Sequence, residues 1–165
     1  AAFSGQSGGG GDEYLSLGGS ASYYVPQGKR TLFYAAVSLG TVFSADLVNQ
    51  LLLGGDNGLR GYPLRYQTGE NKALFTLEER FYTDWYPFRL FRIGAAAFLD
   101  VGRAWGGDFV NEADPGWLAN VGVGLRVISA RSSSGTVWHV DVAVPVNPAP
   151  GVDSVQFLVN TRKSF

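Results

Sequence analysis

One glycine-rich segment, Leu51 to Tyr66, carries the side chain whose chemistry stands out in this sequence. It reads LLLGGDNGLRGYPLRY and places Arg60 near its centre. A guanidinium offers a planar fork of N–H donors that can bind one carboxylate through two hydrogen bonds. Glycines at this density permit positive φ angles and close approach of other groups. Since the segment is far too long for a hairpin turn, we expect an ordered loop with a fixed role. A mobile surface loop is the alternative.

Other groups of polar residues lack the partners that catalysis would need. His139 and Asp141 lie two residues apart on one predicted strand face, a spacing that could support acid–base chemistry, but no G-x-S-x-G serine motif accompanies them. We therefore interpret them as a structural polar pair. Gly122 and Gly124 lie within a predicted strand with no helix after it, which excludes a phosphate-binding loop. No residues show metal-ligand spacing. The sequence thus predicts no catalytic residues, no metal and no cofactor.

The composition excludes several classes of protein. Thirteen basic and fourteen acidic residues leave the net charge close to zero, so nothing suggests a nucleic-acid surface. The absence of cysteine excludes disulfides and thiolate metal sites. No apolar run is long enough for a transmembrane helix. A soluble β-sandwich and a membrane β-barrel both remain compatible with this composition.

Apolar residues recur with a period of two along most of the chain, which is the periodicity of β-strands. Most charged residues fall on the face opposite the bulky apolar ones, and Glu79 is the clear exception. We therefore predict an all-β fold, an antiparallel meander with one apolar face and no helix. The seven predicted strands are Tyr14–Val25, Leu32–Phe43, Ala73–Thr83, Phe91–Val101, Trp117–Val127, Trp138–Val144 and Val155–Phe165.

The connections between the predicted strands alternate in length. The short ones are 26–30, 84–90 and 129–135, and the long ones are 44–72, 103–116 and 145–153. Short turns at one end and long extracellular loops at the other are typical of outer-membrane barrels. The polar face is rich in glycine, alanine and serine, as expected for a barrel interior. Both features favour part of a transmembrane outer-membrane β-barrel over a sandwich.

Two motifs and the last strand resemble a known superfamily. The motifs are Leu59-Arg60-Gly61-Tyr62 in the long loop and Phe98-Leu99-Asp100-Val101-Gly102 on a later strand. Together with a terminal strand ending at Phe165, they resemble the C-terminal barrel segment shared by BamA, TamA and the two-partner secretion transporters. The resemblance extends from about Tyr14 onward. It implies that loop 44–72 folds back into the barrel lumen and that its arginine contacts an acidic residue of the barrel wall.

The resemblance also assigns roles to individual residues. It makes Arg60 the loop arginine and Asp100 its wall partner. Glu78 resembles a further acidic wall residue, and the final strand resembles the sorting signal read by the assembly machinery, although Thr161 and Lys163 depart from its apolar alternation. The remaining residues of these motifs are Leu59, Gly61 and Tyr62 in the loop, Phe98 and Gly102 on the wall, and Phe157, Val159 and Phe165 in the sorting signal.

The periodicity of the strands is consistent with this contact. Glu78, Phe98, Asp100 and Gly102 share the polar faces of their strands, so one loop that enters the barrel could meet both carboxylates. We hypothesise that Arg60 pairs with Asp100 and that Glu78 lies beside the pair. The alternative is an exposed loop arginine and an unrelated strand carboxylate.

We expect residues 1–11 to form a flexible lead-in and residues 12–165 to form about seven strands of a C-terminal barrel segment. Bacterial single-chain barrels have an even number of strands, at least about eight, and lipid does not tolerate open sheet edges. We therefore expect a larger protein with earlier strands; closure with eight strands, one of them within residues 1–11, is the alternative.

The resemblance implies a function without catalytic chemistry, the insertion or translocation of proteins at the bacterial outer membrane. The implied partners are outer-membrane lipids, client outer-membrane or secreted proteins, and the assembly machinery. Two alternatives remain open. One is a barrel that anchors or exports an attached enzyme, as in patatin-bearing relatives, and the other is a soluble β-sandwich binding module.

Overall fold

Antiparallel strands make up most of the computed structural model, which describes residues 2–8, 14–43, 50–87, 90–107, 116–129, 136–147 and 151–163. Eight of the strands form one meandering sheet in the order β1-β2-β3-β6-β7-β8-β9-β10, and β4 and β5 form a separate pair within the long loop. In chain order the strands are β1 (Ala2–Gly8), β2 (Tyr14–Pro26), β3 (Thr31–Phe43), β4 (Leu51–Leu53), β5 (Gln67–Gly69), β6 (Asn71–Tyr82), β7 (Phe91–Trp105), β8 (Leu118–Ser129), β9 (Thr136–Pro145) and β10 (Gln156–Lys163).

This architecture confirms the predicted all-β antiparallel meander. The seven predicted strands correspond to β2, β3 and β6 to β10. Within the described ranges, the single helix is a short 3-10 turn over Gly55–Asn57, and no helix is long and apolar enough to cross a membrane.

The predicted flexible lead-in over residues 1–11 instead contains strand β1, which adds an eighth strand to the sheet. β1 pairs with β2 along its whole length, from Ala2 opposite Ser20 to Gly8 opposite Tyr14. Its residues are mostly small and polar, with low intrinsic preference for strands. Backbone hydrogen bonds to β2 therefore hold β1 in the sheet. No ladder joins β1 to β10 in the described part of the sheet, which therefore has two open edges.

The two faces of the sheet differ in what covers them. We call the face that carries Glu78, Asp100 and Arg126 the inner face, and these side chains are buried. The outer face carries apolar side chains that remain exposed, for example Val123 at 61% and Phe157 at 77%. A soluble β-sandwich would bury such residues against a second sheet. No second sheet covers the outer face in the described part of the chain.

The ends of the sheet also differ. Turns β2–β3, β6–β7 and β8–β9 lie at one end, which we call the short-turn end. The connections β3–β6, β7–β8 and β9–β10 lie at the opposite end, the long-loop end. The described part of the chain between β3 and β6, residues 50–70, lies against the inner face. There, Leu53, Leu59 and Tyr62 of the loop pack with Ala104 and Leu118 of the sheet as the main hydrophobic core. This core fixes the loop against the wall that carries the charges.

Candidate functional site

The described part of the long loop is an ordered structure. β4 and β5 pair as a short stem, with Leu51 opposite Gly69 and Leu53 opposite Gln67. Beyond the stem, the Leu59 amide donates to the Gly54 carbonyl at 2.9 Å, and the Tyr62 amide donates to the Leu59 carbonyl at 3.1 Å. These backbone bonds hold Arg60 at the tip of a compact turn.

Gly61 allows the loop backbone to touch the wall beside Arg60. A Cβ atom at this position would lie 2.5 Å from the Cβ of Asn120 on β8, closer than real side chains approach. Glycine is therefore required because the loop backbone approaches the Asn120 side chain too closely for any other residue. The contact sets the depth to which the neighbouring arginine reaches.

Arg60 binds three carboxylates from three different strands. Its Nε and Nη2 atoms donate to the two oxygens of Asp100, each at 2.9 Å, in a bidentate pair. Its Nη1 donates to Glu78 Oε2 at 2.8 Å and to Asp141 Oδ2 at 3.2 Å. Arg60 is 6% exposed, so water does not screen these contacts. The predicted pair of Arg60 and Asp100 is present and Glu78 lies beside it, and the contact with Asp141 is additional.

The surroundings of the guanidinium keep it charged. Burial would lower the pKa of Arg60, but the hydrogen bonds and the negative charges of Asp100 and Glu78 outweigh burial and raise the pKa above its usual value. The guanidinium carbon also lies 3.3 Å from the ring centroid of Phe98, which places the cation on the aromatic face. Phe98 therefore forms the floor of the arginine site.

Two further arginines complete the cluster from the wall itself. Arg126 is fully buried and donates to Glu78 Oε1 from Nη2 at 2.9 Å and from Nε at 3.1 Å. Its Nη1 donates to Asp141. Arg80 donates from Nε to Glu78 Oε1 at 2.7 Å. Three guanidinium charges thus face the three carboxylate charges of Glu78, Asp100 and Asp141, so the cluster is neutral only while Arg60 is in place.

Neutral side chains fix the carboxylate of Asp100. Thr76 Oγ1 donates to Asp100 Oδ1 at 3.0 Å, and Asn120 Nδ2 donates to Asp100 Oδ2 at 2.9 Å. With the two bonds from Arg60, Asp100 accepts four hydrogen bonds and is fully buried. The wall therefore presents a carboxylate already oriented for a side-on guanidinium.

Gly124 provides the space in which Asp141 and Arg126 meet. It lies opposite Asp141 in the β8–β9 ladder, and a Cβ added to it would overlap Asp141 Oδ1 and lie 2.7 Å from Arg126 Nη1. Glycine inside a strand often marks close approach of another group. The in-strand glycine is thus part of the charge cluster rather than of any phosphate-binding loop.

Two more side chains attach the loop to the wall nearer the long-loop end. The Tyr62 hydroxyl lies 3.1 Å from the Ala119 carbonyl oxygen and 3.0 Å from that of Asn147. Burial raises the pKa of Tyr62. The Gln67 side chain accepts from the Ala104 amide at 2.9 Å and donates to the Gly116 carbonyl at 3.2 Å. The loop is therefore anchored at its base as well as at its tip.

The remaining predicted residues divide into two groups. Leu59 and Gly102 lie at the loop–wall interface, where Leu59 is in the core and Gly102 faces Leu53. Phe157 and Val159 flank Leu158, the residue opposite Asp141 in the β9–β10 ladder, but they are exposed on the outer face of the edge strand β10. Phe165 lies outside the described residues. His139 is buried on the inner face beside Arg126 in the ladder.

The sequence did not predict the partners of Arg80 and Arg126, the two arginines on the wall. Arg80, Arg126 and Asp141 are on the inner-face parity of their strands, but no contact was predicted for them. The alternation of residues along each strand predicts which face these three side chains occupy. Whether the side chains contact each other depends on the register between β6, β8 and β9. The usable signal was the presence of opposite charges on one face of neighbouring strands. In the described ranges, no group of acidic, histidine or cysteine residues could hold a metal ion.

A comparison with protein-family models adds the decisive observation. The Omp85 superfamily domain matches residues 1–165, the whole of the chain. The chain belongs to the Omp85 superfamily. A search of curated proteins returned no match.

Membership of the Omp85 superfamily places the chain among outer-membrane proteins that insert or secrete other proteins. It is a superfamily of transporters and insertases rather than of enzymes. The Arg60 cluster and the open-edged meander are thus features of an Omp85 barrel wall with its long loop folded against the inner face.

Proposed function

We propose that this chain forms a wall segment and the internal loop of a bacterial outer-membrane barrel that inserts or translocates client proteins without catalytic chemistry. The observation that carries the proposal is the binding of Arg60 to Asp100 and Glu78 on the inner face. This contact holds a long loop inside the barrel, where it decides how much of the lumen a client polypeptide can use.

The energetics of the cluster favour a loop with one well-defined position. Buried ion pairs contribute little net stability, but removing one partner leaves an uncompensated buried charge that costs about 3–5 kcal/mol. Withdrawal of Arg60 would leave three carboxylates and two of the three guanidinium groups, those of Arg80 and Arg126, in the described cluster. The loop therefore acts as a fixed internal element of the pathway.

The open edges of the sheet support a role within a larger barrel. β1 and β10 each have one side without a strand partner in the described part of the sheet. Lipid cannot satisfy the backbone groups of an open edge. We infer that these edges pair with further strands in the assembled barrel, and that the edge strand β10, with Phe157 and Val159 exposed, is what the assembly machinery recognises.

A replacement experiment tests this function. The natural copy of the gene is depleted in cells that express a variant carrying Arg60→Asp, Asp100→Arg or both. Folded barrel in the membrane is measured separately from the levels of outer-membrane and secreted client proteins. We expect single variants that still form folded barrels to lose client proteins, and the double variant to recover part of that loss. Normal client levels after depletion of the protein itself would contradict the proposed function.

A further inference from the structure

The docked loop makes several of its contacts with the last hairpin, by which we mean β9, β10 and the chain between them. Arg60 Nη1 donates to Asp141 on β9 at 3.2 Å, and the Tyr62 hydroxyl lies 3.0 Å from the carbonyl oxygen of Asn147 in the connection. Val152, also in the connection, packs against the hydrophobic core that the loop forms with the wall. The loop is therefore bound both to a strand of the last hairpin and to its connection.

Leu158 extends these contacts to the edge strand β10. Its Cδ2 atom lies 3.5 Å from the position that a Cβ atom of Gly55 would occupy, so the leucine packs on the bare side of a loop glycine. The Cδ2 atom of Leu64, in the same loop, lies 3.8 Å from that position. Leu158 is partly buried, whereas its neighbours Phe157 and Val159 are exposed on the outer face. The loop thus contacts β10 from the inner face.

Leu158 and Asp141 lie at the same level of the last hairpin. They are partners in the β9–β10 ladder. The loop therefore binds Asp141 through Arg60 and packs on Leu158 through Gly55 at one point along two neighbouring strands. Because β10 has a single strand partner in the described part of the sheet, this second attachment limits how far the edge can move.

A cavity lies on the other side of Arg60, towards β2 and β3. Its volume is about 230 Å³, and Ser20, Ser22 and Ser38 line it together with Arg60. A gap of this size leaves the loop and these two strands without direct packing at this level. Loop docking should therefore stabilise β10 and have little effect on β2.

We propose that the docked loop holds the edge strand β10 in place, and that Leu158 is the positioning residue through which it does so. The coupling is reciprocal: a docked loop stabilises β10, and a firmly held β10 stabilises the docked loop. A client polypeptide that displaces the loop would also loosen the edge at which β10 meets further strands. This consequence rests on the proposed function, whereas the coupling itself is a property of the folded barrel.

Hydrogen exchange of the intact protein in lipid, measured by mass spectrometry, tests the coupling. Leu158→Ala leaves every charge of the cluster in place. It should speed exchange about tenfold in β10 and also at the loop amides of Leu59 and Tyr62, because the packing of one partly buried leucine is lost. Val159→Ala is the matched control, since this neighbour is 71% exposed on the outer face, and it should change neither region by more than about threefold.

Release of the loop by a different route provides the second arm. Arg60→Asp brings a fourth carboxylate into the buried cluster and should expel the loop, which faster exchange at the loop amides will show. Exchange in β10 should then rise about tenfold, while exchange in β2 stays within about threefold. Adding Leu158→Ala to Arg60→Asp should have no further effect on β10, because the contact of Leu158 with the loop is already lost.

Three results would overturn the proposal. The first is the same exchange in Leu158→Ala as in Val159→Ala. The second is unchanged exchange in β10 when Arg60→Asp has released the loop, or an equal rise in β2 and β10. The third is a tenfold effect of Leu158→Ala that persists in the Arg60→Asp background, which would make Leu158 a local packing residue. Client proteins are not measured, so the proposed function can fail while this coupling stands, and the reverse.

Discussion

Replacement of Arg60 by glutamine is the most informative perturbation of the loop. The Arg60 side chain is 7% exposed and donates to three carboxylates. Removing its charge leaves a buried cluster with three negative and two positive charges. The expected cost to loop docking is about 3–5 kcal/mol, the cost of leaving a buried charge without its partner. Arg30 offers a matched control, because it also pairs with an aspartate, Asp84, but both side chains are more than half exposed. Arg30→Gln should cost about 1 kcal/mol or less.

Hydrogen exchange measured by mass spectrometry on the folded protein in lipid reports the opening of the loop. Arg60→Gln should speed exchange at the amides of Leu59 and Tyr62, which are bonded within the loop, by about a hundredfold to a few thousandfold. Arg30→Gln should leave these amides within about fivefold of their original rates. Equal effects of the two substitutions on amide exchange in the loop would refute the reasoning, because a buried arginine would then contribute no more to loop docking than an exposed one.

Three other substitutions test the parts of the site that support Arg60. Gly124→Ala displaces the Asp141 carboxylate from its place beside Arg126 and should lower the stability of the folded barrel by about 1–3 kcal/mol. Urea unfolding measures this loss, and an unchanged midpoint would contradict the packing. Tyr62→Phe should weaken loop docking by about 1 kcal/mol. Because burial raises the pKa of Tyr62 above its ordinary value of 10.0, the contribution of its hydroxyl is complete below pH 10 and is lost as pH rises through the raised pKa. Loop exchange that is insensitive to Tyr62→Phe would exclude this anchor. Asn120→Asp replaces a hydrogen-bond donor to Asp100 by a second carboxylate, so it should weaken loop docking more than Asn120→Ala does. Hydrogen exchange at the loop amides measures the difference.

The strands of the wall could be predicted because alternation in sequence translates directly into the two faces of a sheet. Leu77, Val123 and Phe157 could be assigned to the outer face from parity alone. β1 could not be recognised in this way, since its short, polar residues carry no alternating apolar signal. Its place is set by the backbone of β2. Parity therefore finds strands with a lipid-facing side and misses those held mainly by backbone pairing.

The candidate site was predictable in part for a similar reason. Arg60 and Asp100 could be related because the resemblance implied a contact between the loop arginine and a wall carboxylate, and parity placed Glu78 and Asp100 on the same polar face. The contact between Arg126 and Asp141 could not be predicted, because it depends on strand register. A period of two predicts the face that Arg126 occupies, but it does not predict which residue of β9 lies opposite. The stem formed by β4 and β5 was likewise hidden, because its three-residue strands are too short to show a period.

A double-mutant cycle between Arg60 and Asp100 tests most directly the claim that the loop arginine is bound to the wall. The free energy of loop opening is measured by hydrogen exchange for the unaltered protein, Arg60→Gln, Asp100→Asn and the double variant. The bidentate contact at 2.9 Å predicts that the double variant costs less than the sum of the single variants by about 2–3 kcal/mol. Costs that add to within about 0.5 kcal/mol would show that the two residues do not touch, and would contradict the account.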